Sequence, residues 1–259
     1  MKKRMLVILT MVAAMVLVLT GCSSNSSSET KTKGTLTIGL EGTYAPYSYR
    51  ENGKLTGFEV DFAKALAKKM NLKAKFVPTK WDSLIAGLNS KTFDVVINNV
   101  GENASRKKHY IFAEPYVQSK SVLVTKANDT SIQSVDDLKG VKVAEGTGTD
   151  NYNKAKKFDA KIVPSSDFAT TMSMIKQGRV QATINLREAF LTWEKDNKNS
   201  GLKYTEIPTS KLPNTKIAPL LNKDSTKLRD KMVKAEKQLR KDGTLKRLAI
   251  KYFGQDISK

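Results

Sequence analysis

The sequence predicts an α/β fold divided into two lobes. From Thr35 to Ile97, strand-like alternation and helical spacing take turns along the chain, the signature of a sheet covered by helices. The same rhythm restarts after Pro115 and yields a second series of similar size. Extended segments join the two, so a cleft is expected between them.

The elements follow in order. Thr35–Leu40 alternates as a strand. Gly57 to Met70 sets Phe58, Phe62, Ala65, Leu66 and Met70 on one helical face, and Phe58 belongs to that core stripe. A strand through Ala74–Val77 leads to a short helix over Asp82–Leu88. Asp82 is expected to cap it, because its carboxylate can accept free backbone N–H groups. Phe93–Ile97 is an apolar strand. In the second series, strands are expected at Ser121–Thr125, Val141–Ala144, Lys161–Val163 and Val180–Ile184. Helices are expected at Val135–Leu138, Asp150–Lys157, Phe168–Gln177 and Arg187–Glu194. Two lysine-rich amphipathic helices, Ser225–Lys241 and Thr244–Tyr252, close the chain, with Gly243 placed to end the first of them.

The N-terminus speaks to location. Lys2, Lys3 and Arg4 precede an apolar run from Met5 to Leu19 broken only by Thr10, and small residues follow. Such a stretch reads as a secretory signal, and it is shorter than the roughly 20 residues that span a bilayer. Leu19-Thr20-Gly21-Cys22 resembles the lipobox of bacterial lipoproteins, which implies cleavage after residue 21 and lipidation (palmitate) of Cys22. Residues 22–33 are then a lipidated cysteine and a flexible polar tether. Cys22 is the only cysteine, so no intrachain disulfide can form. The expected location is extracytoplasmic, anchored on the outer face of a Gram-positive cell membrane.

Charge and motif content narrow the function. The three positive charges of the signal reduce the formal +20 to +17 in the mature chain. Lysine is spread along the whole chain and an exported protein does not meet cytoplasmic nucleic acid, so nucleic acid is not an expected partner. The anionic cell envelope is one, and an adhesin that binds anionic envelope or matrix polymers is the alternative function. The single histidine, His109, has no His, Cys or carboxylate pattern for a metal or a triad, so no enzyme, metal or cofactor is expected. Glu145-Gly146-Thr147-Gly148-Thr149-Asp150 is glycine-rich ahead of a helix but lacks the Gly-Lys-Ser/Thr of a phosphate loop.

A set of motifs in fixed order carries a family resemblance. Glu41-Gly42-Thr43-Tyr44-Ala45-Pro46-Tyr47-Ser48-Tyr49 is followed by Gly53-Lys54-Leu55-Thr56-Gly57-Phe58-Glu59-Val60-Asp61, Trp81-Asp82-Ser83-Leu84-Ile85-Ala86-Gly87-Leu88 and Phe93-Asp94-Val95-Val96. Arg106-Lys107-Lys108, Phe112-Ala113-Glu114-Pro115-Tyr116, Asp242-Gly243-Thr244-Leu245 and Lys251-Tyr252-Phe253-Gly254 complete it. Over residues 34–254 the chain resembles the amino-acid-binding proteins of ABC importers, bacterial extracellular solute-binding proteins of family 3, and most nearly their cystine-binding branch. The resemblance implies a type II periplasmic-binding-protein fold, two α/β lobes joined by a two-segment hinge. Lobe one maps to residues 34–119 plus 217–259 and lobe two to 120–216, with the crossings near 118–123 and 212–219. The implied function is capture of a polar amino acid, L-cystine by best match and arginine or glutamine otherwise. A monomer would deliver it to the importer's permease.

The resemblance also nominates residues. Arg106 falls at the family's carboxylate-binding arginine, where a planar guanidinium takes a carboxylate in two parallel bonds; read without the resemblance, it is a surface arginine beside two lysines. Tyr44 and Trp81 fall at the aromatic positions flanking the ligand, with core packing the plainer reading. Glu41 matches an acidic position at the ligand's far end, or else lines the rim. Asn98, Asn99 and Gly101 follow a buried strand, and Thr147 lies in the glycine-rich loop whose N–H groups can meet an anion. Three departures stand out: no hydroxyl at Gly101 or near Gly148, and Leu186 where relatives carry an aspartate for the α-ammonium. Glu102, Glu145 and Glu188 are candidates to replace it.

Overall fold

The structure, a computed structural model, describes residues 29–258. The signal, Cys22 and most of the tether lie outside the described residues. The chain first lays down β1 (Thr35–Leu40), a hairpin of β2 (Tyr49–Glu51) and β3 (Lys54–Thr56), α1 (Phe58–Lys69), β4 (Lys73–Pro78), α2 (Trp81–Asn89), β5 (Val95–Val96), α3 (Ala104–His109) and β6 (Tyr110–Phe112). After β7 (Val117–Ser119) it builds β8 (Ser121–Lys126), a 3-10 turn at Val135–Leu138, β9 (Lys142–Glu145), α4 (Asp150–Lys157), β10 (Lys161–Pro164), α5 (Phe168–Lys176), β11 (Ala182–Leu186), α6 (Arg187–Asp196) and β12 (Leu202–Glu206). It returns through β13 (Thr215–Ile217) and β14 (Leu220–Asn222), then ends in α7 (Thr226–Lys241) and α8 (Thr244–Phe253).

These strands make two five-stranded sheets, ordered β4-β1-β5-β14-β6 and β10-β9-β11-β8-β12. In each, four strands run in one direction and one runs against them, β14 in the first sheet and β8 in the second, each paired antiparallel on both sides. The returning β14 sits between β5 and β6, so the first sheet draws on both ends of the chain. β7 and β13 pair antiparallel, Ser119 opposite Thr215, in a ribbon where the chain passes from one sheet to the other and back.

Covering both faces of a sheet with helices buries its central strands. Five of the six residues of β1 are buried. On one face Leu36 and Ile38 meet Phe58, Phe62 and Leu66 of α1 and Met232, Leu239 and Leu245 of the C-terminal helices. On the other, Leu84 and Leu88 of α2 pack with Phe93 and Val96. The second sheet divides the same way: Leu123, Val143 and Ile184 face one core, Val122, Val124 and Ala144 the other, as strand alternation requires.

The start of α1 shows how local chemistry fixes this packing. No side chain caps it; the N–H groups of Phe58 and Glu59 donate to the carbonyls of Pro46 and Tyr47, each at 2.9 Å. Gly57 holds φ 121°, and a Cβ there would lie 2.3 Å from the Tyr47 carbonyl oxygen. Two expectations are corrected. Asp82 does not cap α2: the helix begins one residue earlier, with Lys80 as its N-cap, so Asp82 lies inside the first turn. The strand expected over Phe93–Ile97 narrows to Val95–Val96, although Asp94 N and Ile97 N still donate to Thr37 O and Gly39 O.

A candidate ligand-binding cleft

Ligands of open α/β sheets meet the carboxyl ends of the strands, and here both sheets turn those ends toward one cleft. Its empty volume, counted to the mouth, is about 880 Å³, a size that suits a small-molecule site.

In the first lobe, the turn after β1 and the turn after β5 are bolted together. Glu41 N donates to Asn98 Oδ1 at 2.7 Å, and Asn98 Nδ2 returns a bond to Glu41 Oε2 at 2.8 Å. Asn99 takes a left-handed φ of 51°, and its N–H donates to Glu59 Oε1 at 2.5 Å. Glu59 is fully buried, and burial raises its pKa to about 7 against the bonds from Tyr116 and Asn99. Burial likewise raises Glu41, and the nearby Asp167 and Asp82 push it further the same way against the Asn98 bond. One end of the cleft is therefore acidic.

Arg106 supplies the opposite charge. Asn103 caps α3 by accepting from Arg106 N at 2.8 Å, which fixes the first turn of a six-residue helix. The side chain, 9 % exposed, then reaches into the cleft. Nη1 donates to Gly101 O at 2.9 Å, Nη2 donates to Gly148 O of the second lobe at 3.1 Å, and the guanidinium lies 5.5 Å from the Trp81 ring centre. Burial lowers its pKa and Asp150 opposes the shift, but a guanidinium starts high enough to stay charged.

The second lobe closes over these groups. Tyr44 Oη donates to Asn185 Oδ1 at 2.5 Å, and Trp81 Nε1 donates to Thr147 O at 3.0 Å. Thr149 caps α4 by accepting from Tyr152 N, and Asp150 on its first turn pairs with Lys154 at 2.9 Å. Lys154 also donates to Ser121 Oγ and, at 2.6 Å, to Thr215 Oγ1 of β13. Asp167 caps α5. Glu145, at the end of β9, is buried, and burial pushes it up to about 8 against donors from Ile184 and Thr183.

Arg106, Tyr44, Trp81, Glu41, Asn99 and Gly101 all line the cleft, together with Asn98 and Leu186. Thr147 and Glu102 do not. Thr147 is exposed and offers only its carbonyl, which Trp81 occupies, while Glu102 pairs outward with Lys107 at 2.6 Å. Glu188 is also outside, accepting from Ser119 Oγ beside the β7–β13 ribbon. His109 ends α3 on the surface. At Gly101 a Cβ would lie 3.0 Å from Thr215 Cγ2 and 3.3 Å from the Asp150 carboxylate, so a side chain there requires these neighbours to give way. Sequence reasoning missed Asp150, Asp167 and Asn185 as cleft residues. Asn185 carried a readable signal, since it follows apolar Ile184 on β11 as Asn98 follows Val95–Ile97 in the first lobe.

Two sheets with facing carboxyl ends, a ribbon between them and a polar cleft with a buried arginine are the anatomy of a solute-binding protein. The chain belongs to the bacterial extracellular solute-binding proteins, family 3, whose family model matches residues 36–255. It is 40% identical over 232 residues to the L-cystine-binding protein TcyA of Bacillus subtilis, covering 88% of this chain and 85% of that one. Among solved structures, it resembles an ancestral arginine-binding protein bound to arginine with a TM-score of 0.79 at 34% identity, over 86% of this chain and 99% of that chain. It also resembles the L-cystine solute receptor of Neisseria gonorrhoeae in the unliganded open conformation, with a TM-score of 0.60 at 39% identity, over 88% of this chain and 96% of that chain. The protein is an extracytoplasmic amino-acid-binding component of ABC transport.

Proposed function

We propose that this protein is a lipid-anchored receptor that closes its lobes on L-cystine and hands it to an ABC importer. The observation that carries the reading is the buried Arg106 guanidinium, set against Trp81 in the cleft and reaching both lobes. It offers a carboxylate a planar, charged partner out of bulk water. An amino acid with a second polar end fits what lies beyond: Glu41, Asp82 and Asp167 gather negative charge in the same cleft, and cystine carries a second ammonium group. Likeness to cystine-binding relatives supports the same ligand.

Lipidation at Cys22 fits the basic, apolar and small-residue pattern ahead of it. A tether of polar residues would then let the two-lobed body stand off the membrane and present its closed form to the permease. A thermal-shift panel of L-cystine, arginine and glutamine tests the ligand. A ligand that binds only the folded protein raises the melting temperature with concentration. L-Cystine is expected to give the largest shift; a larger one from arginine or glutamine would reassign the cargo.

A further inference from the structure

Glu145 is a carboxyl that the strand end does not need. β9 and β11 hold register only at Val143 and Ala182, and beyond that pair the Glu145 side chain serves the open edge. Ile184 N donates to Oε1 at 2.7 Å and Thr183 Oγ1 donates to the same atom at 3.1 Å. Oε2 receives no hydrogen bond among the described residues, yet unlike Glu59 Oε2 it is not sealed in the core. The space beside it is the cleft. A neutral side chain would satisfy Ile184 and Thr183 equally well, whereas a buried carboxylate carries a desolvation cost that the charge of Lys154, itself paired with Asp150, offsets only in part.

The neighbouring groups show which partner is missing. Leu186, two residues beyond Ile184, gives that stretch of the wall no charge. Asp150 is committed to Lys154, Asp167 to the α5 N-terminus and Glu41 to Asn98. Asp82 is exposed on the first turn of α2. The cleft thus has a fixed cation for a carboxylate in one lobe and one uncommitted buried oxygen in the other.

Resting on the amino-acid reading above, we propose that Glu145 is the specificity-determining group that receives the ligand's ammonium, while Arg106 takes its carboxylate. One amino-acid end then bridges the lobes, and neither lobe alone holds both charges. Burial raises the Glu145 carboxyl, and an arriving ammonium works against that shift.

Glu145→Gln tests this, because the amide oxygen still accepts from Ile184 and Thr183 and the fold is retained. The wild type and the variant are titrated with L-cystine and with N,N′-diacetyl-L-cystine, which keeps the carboxylates and lacks the ammonium groups. The wild type is expected to bind L-cystine about 10- to 100-fold more tightly than the diacetyl form, the range for a buried charge-assisted hydrogen bond. The variant should lose a similar factor for L-cystine and little for the diacetyl form. Equal L-cystine affinity in the two proteins, or a wild-type preference for the acetylated ligand, overturns the assignment. Glu145→Asp, which keeps the charge and draws it back by one methylene, is titrated with the same pair, and L-cystine affinity undiminished in it also overturns the assignment. Failure of the wild type to bind L-cystine, arginine or glutamine overturns the amino-acid reading and this assignment together, whereas wild-type binding undiminished in the variant overturns the role of Glu145 alone.

Discussion

Arg106 and Glu59 show what single side chains contribute. Arg106 spends two of its donors on the carbonyls of Gly101 and Gly148, so it is held in place before any ligand arrives. Glu59 never touches the cleft, but it fixes the N–H of Asn99, which does. Its carboxyl titrates near 7 in the folded protein and near the ordinary 4.5 when unfolded. The stability it lends is full below about 4.5, falls as pH rises, and is gone above about 7. Urea unfolding at pH 5 and pH 8 checks the sign: the wild type should lose more stability between the two than Glu59→Gln does. An identical pH difference in both proteins would remove Glu59 from the account. At this scale the sequence was informative where a side-chain type has one use, as with Arg106 among lysines. It was silent where the use depends on a partner far along the chain, as with Asp150 beside Gly101 and Asn185 beneath Tyr44.

Elements with strong periodicity were legible nearly to the residue. The helices at Phe58–Lys69 and Thr226–Lys241 bury one stripe and expose a charged one, which leaves little choice of type or position. Elements whose form depends on distant pairing were not. β6, β13 and β14 have three residues each and exist because antiparallel partners meet them from elsewhere in the chain. α3 is a six-residue helix with Arg106 as its one buried residue, so it shows no apolar stripe to read. The junction of α1 with the Pro46–Ser48 turn is a stringent point of the fold. Gly57→Ala adds a Cβ 2.3 Å from a carbonyl oxygen at a φ of 121°. It should lower unfolding stability by at least about 2 kcal/mol, measured from the urea midpoint. A loss below about 0.5 kcal/mol would mean that the α1 N-terminus can rearrange.

Over the whole molecule, the defining event is the meeting of two lobes across a ligand. Tyr44 to Asn185, Trp81 to Thr147 and Arg106 to Gly148 are bonds between the lobes, and they describe a closed arrangement. Likeness is greater to an arginine-bound relative than to an open, unliganded one that shares more of the sequence. A change of lobe angle alters overall superposition without altering either lobe. The lobe count was readable from the repeated α/β rhythm, but the insertion of β14 between β5 and β6 was not, since nothing local marks where a returning strand will pair. Location gives a separate prediction. The wild type should incorporate labelled fatty acid and Cys22→Ala should not; equal labelling of the two, or no labelling of the wild type, would exclude a lipid anchor at Cys22.

The central claim, an amino acid held between the lobes by Arg106, is tested most directly by calorimetric titration of purified, ligand-stripped protein with L-cystine, alongside Arg106→Ala. The account predicts saturable one-to-one binding, weakened at least about 100-fold in the variant, the loss expected when a charged pair is broken in a desolvated site. Binding that survives Arg106→Ala unchanged, or no binding of L-cystine, arginine or glutamine by folded wild-type protein, would contradict it.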